Sequence, residues 1–319
     1  MLVTIIVLFL VSLAIFARLT RGITKSSTCL IGKTAIITGA NSGVGYQTAL
    51  NLASRGCRVI MADVANLEKS KNDVIKHTNN SNIIAKKLDL GSLESIREFA
   101  NEIKRNETRL DILVNNAGIG SCSSATIDGL NAVMQVNYFG HFLLTHLLID
   151  LLKKSSPARI IFTSSILSFF NNLTVGNLNP GLDTPQSFRN QLQIYNNSKF
   201  ALTVASGIFA KKLQTAAVTS NCVHPGLVST YINLSLLDET NIFVKIVVKL
   251  LFFMFAKDSW TGSQSIVHVA VSQKLEHVTG GFFVDCLQFW APGGREDEFE
   301  EIWRASEEFV KLGPEEKLS

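Results

Sequence analysis

Tyr195 and Lys199 stand four residues apart in the run Y-N-N-S-K. On a helix that spacing puts both side chains on one face. A tyrosine alone titrates near 10, too high to act as a base at neutral pH. A lysine ammonium beside it favours the tyrosinate. Such a pair can exchange a proton with a hydroxyl or carbonyl oxygen. It is also a common pair on any solvated helix, so its surroundings must decide. Upstream, T-G-A-N-S-G-V-G at 38–45 sets Gly39, Gly43 and Gly45 just after the apolar run Ala35-Ile36-Ile37. Glycines between a strand and a helix allow close approach to the backbone, and the helix N-terminus offers N–H groups to a phosphate. A plain tight turn is the alternative.

These residues need elements that bring them together. Short β-branched runs occur at Thr34–Thr38, Arg58–Ala62, Asn82–Leu88, Asp111–Val114, Arg159–Thr163 and Val218–Val223, with an aromatic one at Gly281–Asp285. Amphipathic segments such as Gly43–Ser54, Leu93–Arg105, Leu130–Lys153 and Ile194–Leu213 lie between them. Strands alternating with helices predict an α/β fold, one Rossmann-type doubly wound parallel sheet of about seven strands with helices on both faces. Its ligand site lies at the carboxyl ends of the strands. There Asp63, closing R-V-I-M-A-D, falls where an acidic residue meets the adenosine ribose of a dinucleotide, or acts as an acid at a helix start.

Further motifs follow in order: N-N-A-G at 115–118, Ser164-Ser165 at a strand end, Y-N-N-S-K at 195–199 and P-G-L-V-S-T at 225–230. With the glycine turn, this set resembles the short-chain dehydrogenase/reductase family over about residues 32–312. V-N-Y-F-G-H-F-L-L-T at 136–145, the ending G-F-F-V-D-C and the long interval from Ser165 to Tyr195 look most like its retinol dehydrogenase subgroup. That interval, 195 − 165 = 30 residues, is longer than in many members. The resemblance implies a catalytic set of Asn137, Ser165, Tyr195 and Lys199. In it Ser165, the second serine of its pair, orients the reacting oxygen, Asn137 holds a proton-relay water and Lys199 also binds the nicotinamide ribose. It further implies cofactor contacts from Asn41, Ser42, Val44 and Gly45 at the pyrophosphate, and from Asp89 with Leu90 at the adenine. Asn116, Ala117 and Gly118 would lie under the ribose, and Val228 and Thr230 at the carboxamide. His224, before Pro225, reads as structural, and His141, His146 and Glu276-His277 show no metal spacing.

Asp63 would repel a 2′-phosphate. NADP-using relatives usually place an arginine one residue later or a basic residue before the second glycine; this chain has Val64 and Ser42 there. The expected cofactor is therefore NAD, with NADP as the alternative. The expected reaction interconverts an alcohol and its carbonyl on a lipophilic substrate, retinoids first, with steroids, isoprenoid alcohols and lipid aldehydes behind. A silent nucleotide-binding membrane scaffold is the rival, and a sugar-nucleotide epimerase a third reading that lacks its usual glycine spacing here.

Met1 to Ala17 carry no charge. At about 1.5 Å per residue they make roughly 25 Å of helix, nearly a hydrocarbon core. No basic stretch precedes them as in a cleaved signal peptide. Arg18, Arg21 and Lys25 follow, which predicts an anchor with the rest of the chain in the cytosol, on the endoplasmic reticulum. The sequons at Asn79, Asn106, Asn172, Asn196 and Asn233 would then stay unglycosylated. Residues 18–31 read as a linker, 231–257 as a substrate lobe and 313–319 as a tail. Within the lobe, 241–257 is nearly all apolar apart from its lysines, as in a buried helix or one lying in a membrane interface. The 319 residues carry a net charge of +4 with no dense basic block, so nucleic acid is not an expected partner. Five scattered cysteines with no C-x-x-C fit a reducing compartment rather than a disulfide framework or zinc site. Homo-oligomerisation is left open.

Overall fold

Side chains alternate between the two faces of a strand, and this decides which layer each residue feeds. In β1 (Thr34–Thr38), Ile36 enters one apolar layer while Ala35 and Ile37 enter the other. The computed structural model describes residues 20–181, 187–228, 255–294 and 296–318, and the single positions 12, 18 and 245. The expected anchor over 1–17 (but for Ser12), Thr230 and most of 231–257 lie outside them.

After β1 the chain runs through α1 (Gly43–Ser54), β2 (Arg58–Asp63), α2 (Glu68–Thr78), β3 (Ile83–Lys87), α3 (Leu93–Asn106) and β4 (Ile112–Asn115). A short helical entry and one π-helical turn, Gln135–Phe139, lead into α4 (Gly140–Lys154). Then come β5 (Ala158–Thr163), α5 (Phe188–Lys212), β6 (Val218–His224), α6 (Ser259–Val271), β7 (Phe282–Val284), β8 (Leu287–Phe289) and α7 (Glu296–Phe309). The sheet order is β3-β2-β1-β4-β5-β6-β7-β8. One layer holds α3, α4, α5 and α7 against Ile36, Leu113, Ile160 and Phe162; the other holds α1, α2 and α6 against Ala35, Ile37, Val114 and Ile161. The run 132–154 is long and apolar enough to cross a membrane, yet 89% of its apolar window is buried, so it is a core helix. Trp303 of α7 caps that layer, stacking edge-on against Phe142 and Phe209 at 4.8 Å each.

The parallel doubly wound sheet is as expected, but it has eight strands rather than about seven, and β8 runs antiparallel to β7. Its hairpin turn is Asp285-Cys286, both residues left-handed at φ 49° and 62°. Tight hairpins of this kind are usually signalled by Asn-Gly or Asp-Gly, so the sequence carried no cue. Tertiary bonds hold the turn instead: Ser265 Oγ accepts from Cys286 N at 3.0 Å, and the Asp285 carboxylate pairs with Lys257.

Strand order reverses between β1 and β4: β1 leads outward to β2 and β3, and β4 leads the other way. Their carboxyl ends form the crevice where such sheets take ligands.

Candidate active site

The glycine turn sits at the end of β1. Gly39 and Gly43 have φ of +66° and +58°, which other residues rarely adopt. Gly45 is needed for a different reason: a Cβ there would lie 2.1 Å from Gly39 O. Ser42 is the N-cap of α1, its side chain makes no capping bond, and no acidic residue stands in the first turn. The first N–H groups of α1 are thus left for an anion.

Two side chains fix this turn from outside. Asp63, ending β2, accepts from Asn41 N at 3.1 Å and from Ala65 N at 3.0 Å, one bond per carboxylate oxygen. Each oxygen retains acceptor capacity. Ser70 Oγ bonds the Asn41 carbonyl and its Oδ1 at 3.0 and 2.6 Å. Ser70 was not legible as a site residue because it lies 29 positions from its partner.

The N-N-A-G loop closes onto the same point. Thr38 Oγ1 accepts from Asn116 N at 2.9 Å and Ala117 N at 3.0 Å, and Asn116 Nδ2 donates to Thr38 O at 2.9 Å. The Thr38 hydroxyl also meets His141 Nε2 at 2.9 Å, and His141 Nδ1 meets Asn137 O at 3.0 Å. A carbonyl only accepts, so Nδ1 carries the proton. Nε2 at 2.9 Å then accepts the Thr38 proton in preference to Val114 O at 3.4 Å, so the hydroxyl accepts two bonds and donates one. Burial holds the imidazole well down, at about 3, so it stays neutral. His141 thus ties β1 to the π turn. Its spacing from Asn137, four residues on one helix, was the only signal available.

Asn137 is fully buried. Its Oδ1 accepts from Ile119 N at 2.8 Å, and its Nδ2 donates to Ile119 O and Ser198 Oγ at 3.0 Å each. The side chain is therefore a bracket between the N-N-A-G loop and α5. Gly118 passes close by: a Cβ there would be 3.1 Å from Asn137 Oδ1 and 3.4 Å from Lys199 Nζ.

The two serines part company. Ser164 turns into α5, donating to Lys199 O at 2.8 Å, whereas Ser165 lies near enough to the Tyr195 hydroxyl to favour its ionised form. Ser165 also caps a short 3-10 turn, Ile166–Phe170, by accepting from Leu167 N at 3.2 Å. Lys199 Nζ donates to Thr163 O at 3.0 Å and lies 5.7 Å from the Tyr195 ring centre. Burial pushes Tyr195 up to about 12, against a smaller lowering by the neighbouring Ser165 hydroxyl. Burial also lowers Lys199 to about 8. The expectation that lysine charge makes tyrosinate ready is thus opposed by desolvation. At neutral pH Tyr195 is the neutral phenol.

The remaining expected contacts divide. Asp89 Oδ1 accepts from Gly91 N at 2.8 Å, turning the chain at the end of β3. Leu90, beside it, is 5% exposed and packs in the layer of α3 and α4. Val44 and Val228 meet across Gly262 of α6, where a Cβ would lie 3.2 and 2.6 Å from their methyls. His224 ends β6, buried and held at about 4 by desolvation and then by Lys257. A separate cavity of about 180 Å³, lined by Thr203, Ser206, Cys222, Gly281 and Phe299, contains none of these motif residues.

The cradle fits a nicotinamide dinucleotide: glycines that admit no Cβ, a helix start with free N–H groups, and a buried polar floor leading to Lys199 and Tyr195. Comparison with known proteins agrees. A family model described as "short chain dehydrogenase" matches residues 33–177. Retinol dehydrogenase 12 of Bos taurus is 36% identical over 296 residues, covering 91% of this chain and 90% of that one. Retinol dehydrogenase 13 of Mus musculus is 37% identical over 300 residues, covering 91% and 87%. Among solved structures, a putative uncharacterized protein from Mycobacterium paratuberculosis superposes with a TM-score of 0.67 at 25% identity, covering 91% and 98%. A short chain dehydrogenase from Shigella flexneri complexed with NADP shares the fold, with a TM-score of 0.62 at 23% identity, covering 82% and 100%. The chain belongs to the short-chain dehydrogenase/reductase family and is an NAD(P)-dependent oxidoreductase related to the retinol dehydrogenases.

Proposed function

We propose that this oxidoreductase interconverts an alcohol and its carbonyl on a lipophilic substrate, with retinoids first because its relatives bear that name. The observation that carries the reading is the convergence of Ser165, Tyr195 and Lys199 beside the glycine cradle. Gly39, Asn41, Ser42, Gly43, Val44 and Gly45 hold the pyrophosphate, Asp89 the adenine side, and Asn116, Ala117 and Gly118 the floor under the ribose. Bound there, the cofactor supplies or accepts the hydride. Ser165 holds the substrate oxygen, and Tyr195 exchanges a proton with it. The neutral phenol is poised to donate in the reductive direction; oxidation requires that it first give up its proton, which the Lys199 charge assists. Asn137 and His141 keep the floor and the π turn in register.

The enzyme prefers NAD, because Asp63 stands against a 2′-phosphate at the end of β2. It is anchored through residues 1–17 in the endoplasmic reticulum with its catalytic domain in the cytosol, supported by Arg18, Arg21 and Lys25 just after the apolar run. The test is turnover of retinol and retinal by purified protein with both cofactors. We expect kcat/KM to favour NAD by at least tenfold, about 1.4 kcal/mol, and Asp63→Ala to narrow the ratio. A tenfold preference for NADP would remove Asp63 as the discriminator. Turnover of a steroid or lipid aldehyde but no retinoid would reassign the substrate.

A further inference from the structure

The two edges of the sheet are finished differently. β3 ends in Lys86 and Lys87, with Lys86 paired to Glu102 at 2.5 Å. Charge of this kind keeps an edge strand in water and away from other strands. β8 has no such protection. Leu287 is 72% exposed, Phe289 38% and the following Trp290 69%. Phe289 and Trp290 stack at 3.9 Å, and Phe169 meets Phe289 edge-on at 6.4 Å. Beside Phe169, Phe170 is 68% exposed. An apolar patch of this kind on a soluble surface marks a contact.

What meets it is indicated by where two apolar stretches of the chain end. The uncharged run 1–17 is followed by Arg21 and Gly22, which are docked: Arg21 donates to Ala256 O at 2.9 Å, and Gly22 N to Asp285 Oδ1 at 3.3 Å. Gly22 lies so close to the hairpin that a Cβ would come within 1.9 Å of Asp285 O. The apolar stretch from 241 ends at Ala256 and Lys257, and Lys257 pairs with the same Asp285. Asp285 belongs to the β7–β8 turn, so both stretches finish at the exposed edge. Five residue steps separate Ala17 from Gly22, at most about 18 Å of chain.

We propose that the outer edge of β8, with Leu287, Phe289 and Trp290, together with Phe170, rests on the lipid surface that holds the N-terminal anchor. Stacked Trp and Phe suit the headgroup region, where aromatic side chains collect. This placement rests on the anchor reading and extends it. It also gives a lipophilic substrate a short route, because Phe169 and Phe170 belong to the 3-10 turn capped by Ser165. A second copy pairing through β8 is the weaker occupant. Two three-residue strands make a contact well below the roughly 1,200 Å² of a stable interface.

The test uses the full chain in phosphatidylcholine vesicles, with or without bromine on the upper acyl chains, which quenches nearby tryptophan. The chain has three tryptophans, of which Trp303 is buried. Brominated lipid should lower wild-type emission by roughly a quarter or more, and Trp290→Phe should remove most of that loss, as expected of an interfacial aromatic. Flotation of the same samples reports attachment, and no substrate is involved, so a wrong retinoid assignment leaves the result unaffected. Equal quenching of wild type and Trp290→Phe on floated vesicles would overturn the edge placement while sparing the anchor. So would unquenched emission with a cross-linked dimer through β8. A chain that does not float would overturn both.

Discussion

At the ends of β1 and β4, Thr38, Asn137 and His141 are wholly buried, and each of their polar side-chain atoms has a partner. At β8, by contrast, Leu287 and Phe289 are exposed, and the edge of the strand faces outward. The first region is a polar network enclosed by protein, where each bond limits how far the floor of the crevice can shift. The second is apolar and open, and none of its side chains belongs to the proton-transfer set. The difference separates positioning from docking. Changes in the buried network should damage binding or turnover, and changes at the edge should alter where the protein sits and how a lipophilic substrate arrives, with little effect on kcat.

The largest effect on cofactor binding and stability should come from Gly45→Ala. Its methyl group would start 2.1 Å from Gly39 O, a backbone atom that cannot swing aside. We expect cofactor affinity to fall by about a hundredfold or more and the melting temperature to drop with a cost of about 1–3 kcal/mol. Titration by cofactor fluorescence and a thermal melt would check both; wild-type affinity would show that the turn is not the cofactor cradle.

His141→Leu should come next. It removes the nearer acceptor for the Thr38 hydroxyl, which keeps only Val114 O at 3.4 Å, and the side-chain donor to the Asn137 carbonyl. A loss of about 1–3 kcal/mol in stability is expected, with kcat/KM down roughly tenfold as the floor loosens. Because His141 sits at about 3, neither effect should change between pH 6 and 8. A strong pH dependence in that range would mean the imidazole titrates and the tautomer assignment is wrong.

Leu287→Ser should do least. In detergent, its kcat and melting temperature should stay close to wild type, within about 0.5 kcal/mol for an exposed position. A tenfold fall in kcat would erase the distinction between the two regions.

The sequence made some of this legible and hid the rest for physical reasons. Each β-branched run became a strand, because period-2 alternation into two layers is a local property. The order of glycine turn, N-N-A-G, serine pair and Y-N-N-S-K was readable because each motif is contiguous. Ser70, Gly262 and His141 were not picked out, since their partners lie far along the chain or on another element. β8 was missed because Asp285-Cys286 lacks the usual hairpin residues and is held by Ser265 and Lys257 instead. The raised Tyr195 was likewise out of reach, because the extent of burial is a tertiary quantity.

The most direct test of the central claim is Tyr195→Phe, assayed on the substrate that wild type turns over best, with cofactor affinity measured on the same sample. Phenylalanine keeps the ring and its packing but cannot exchange a proton. If Tyr195 is the proton partner of the reacting oxygen, kcat should fall by about a thousandfold while cofactor affinity stays within about twofold. Turnover within tenfold of wild type, with the cofactor still bound, would contradict the account.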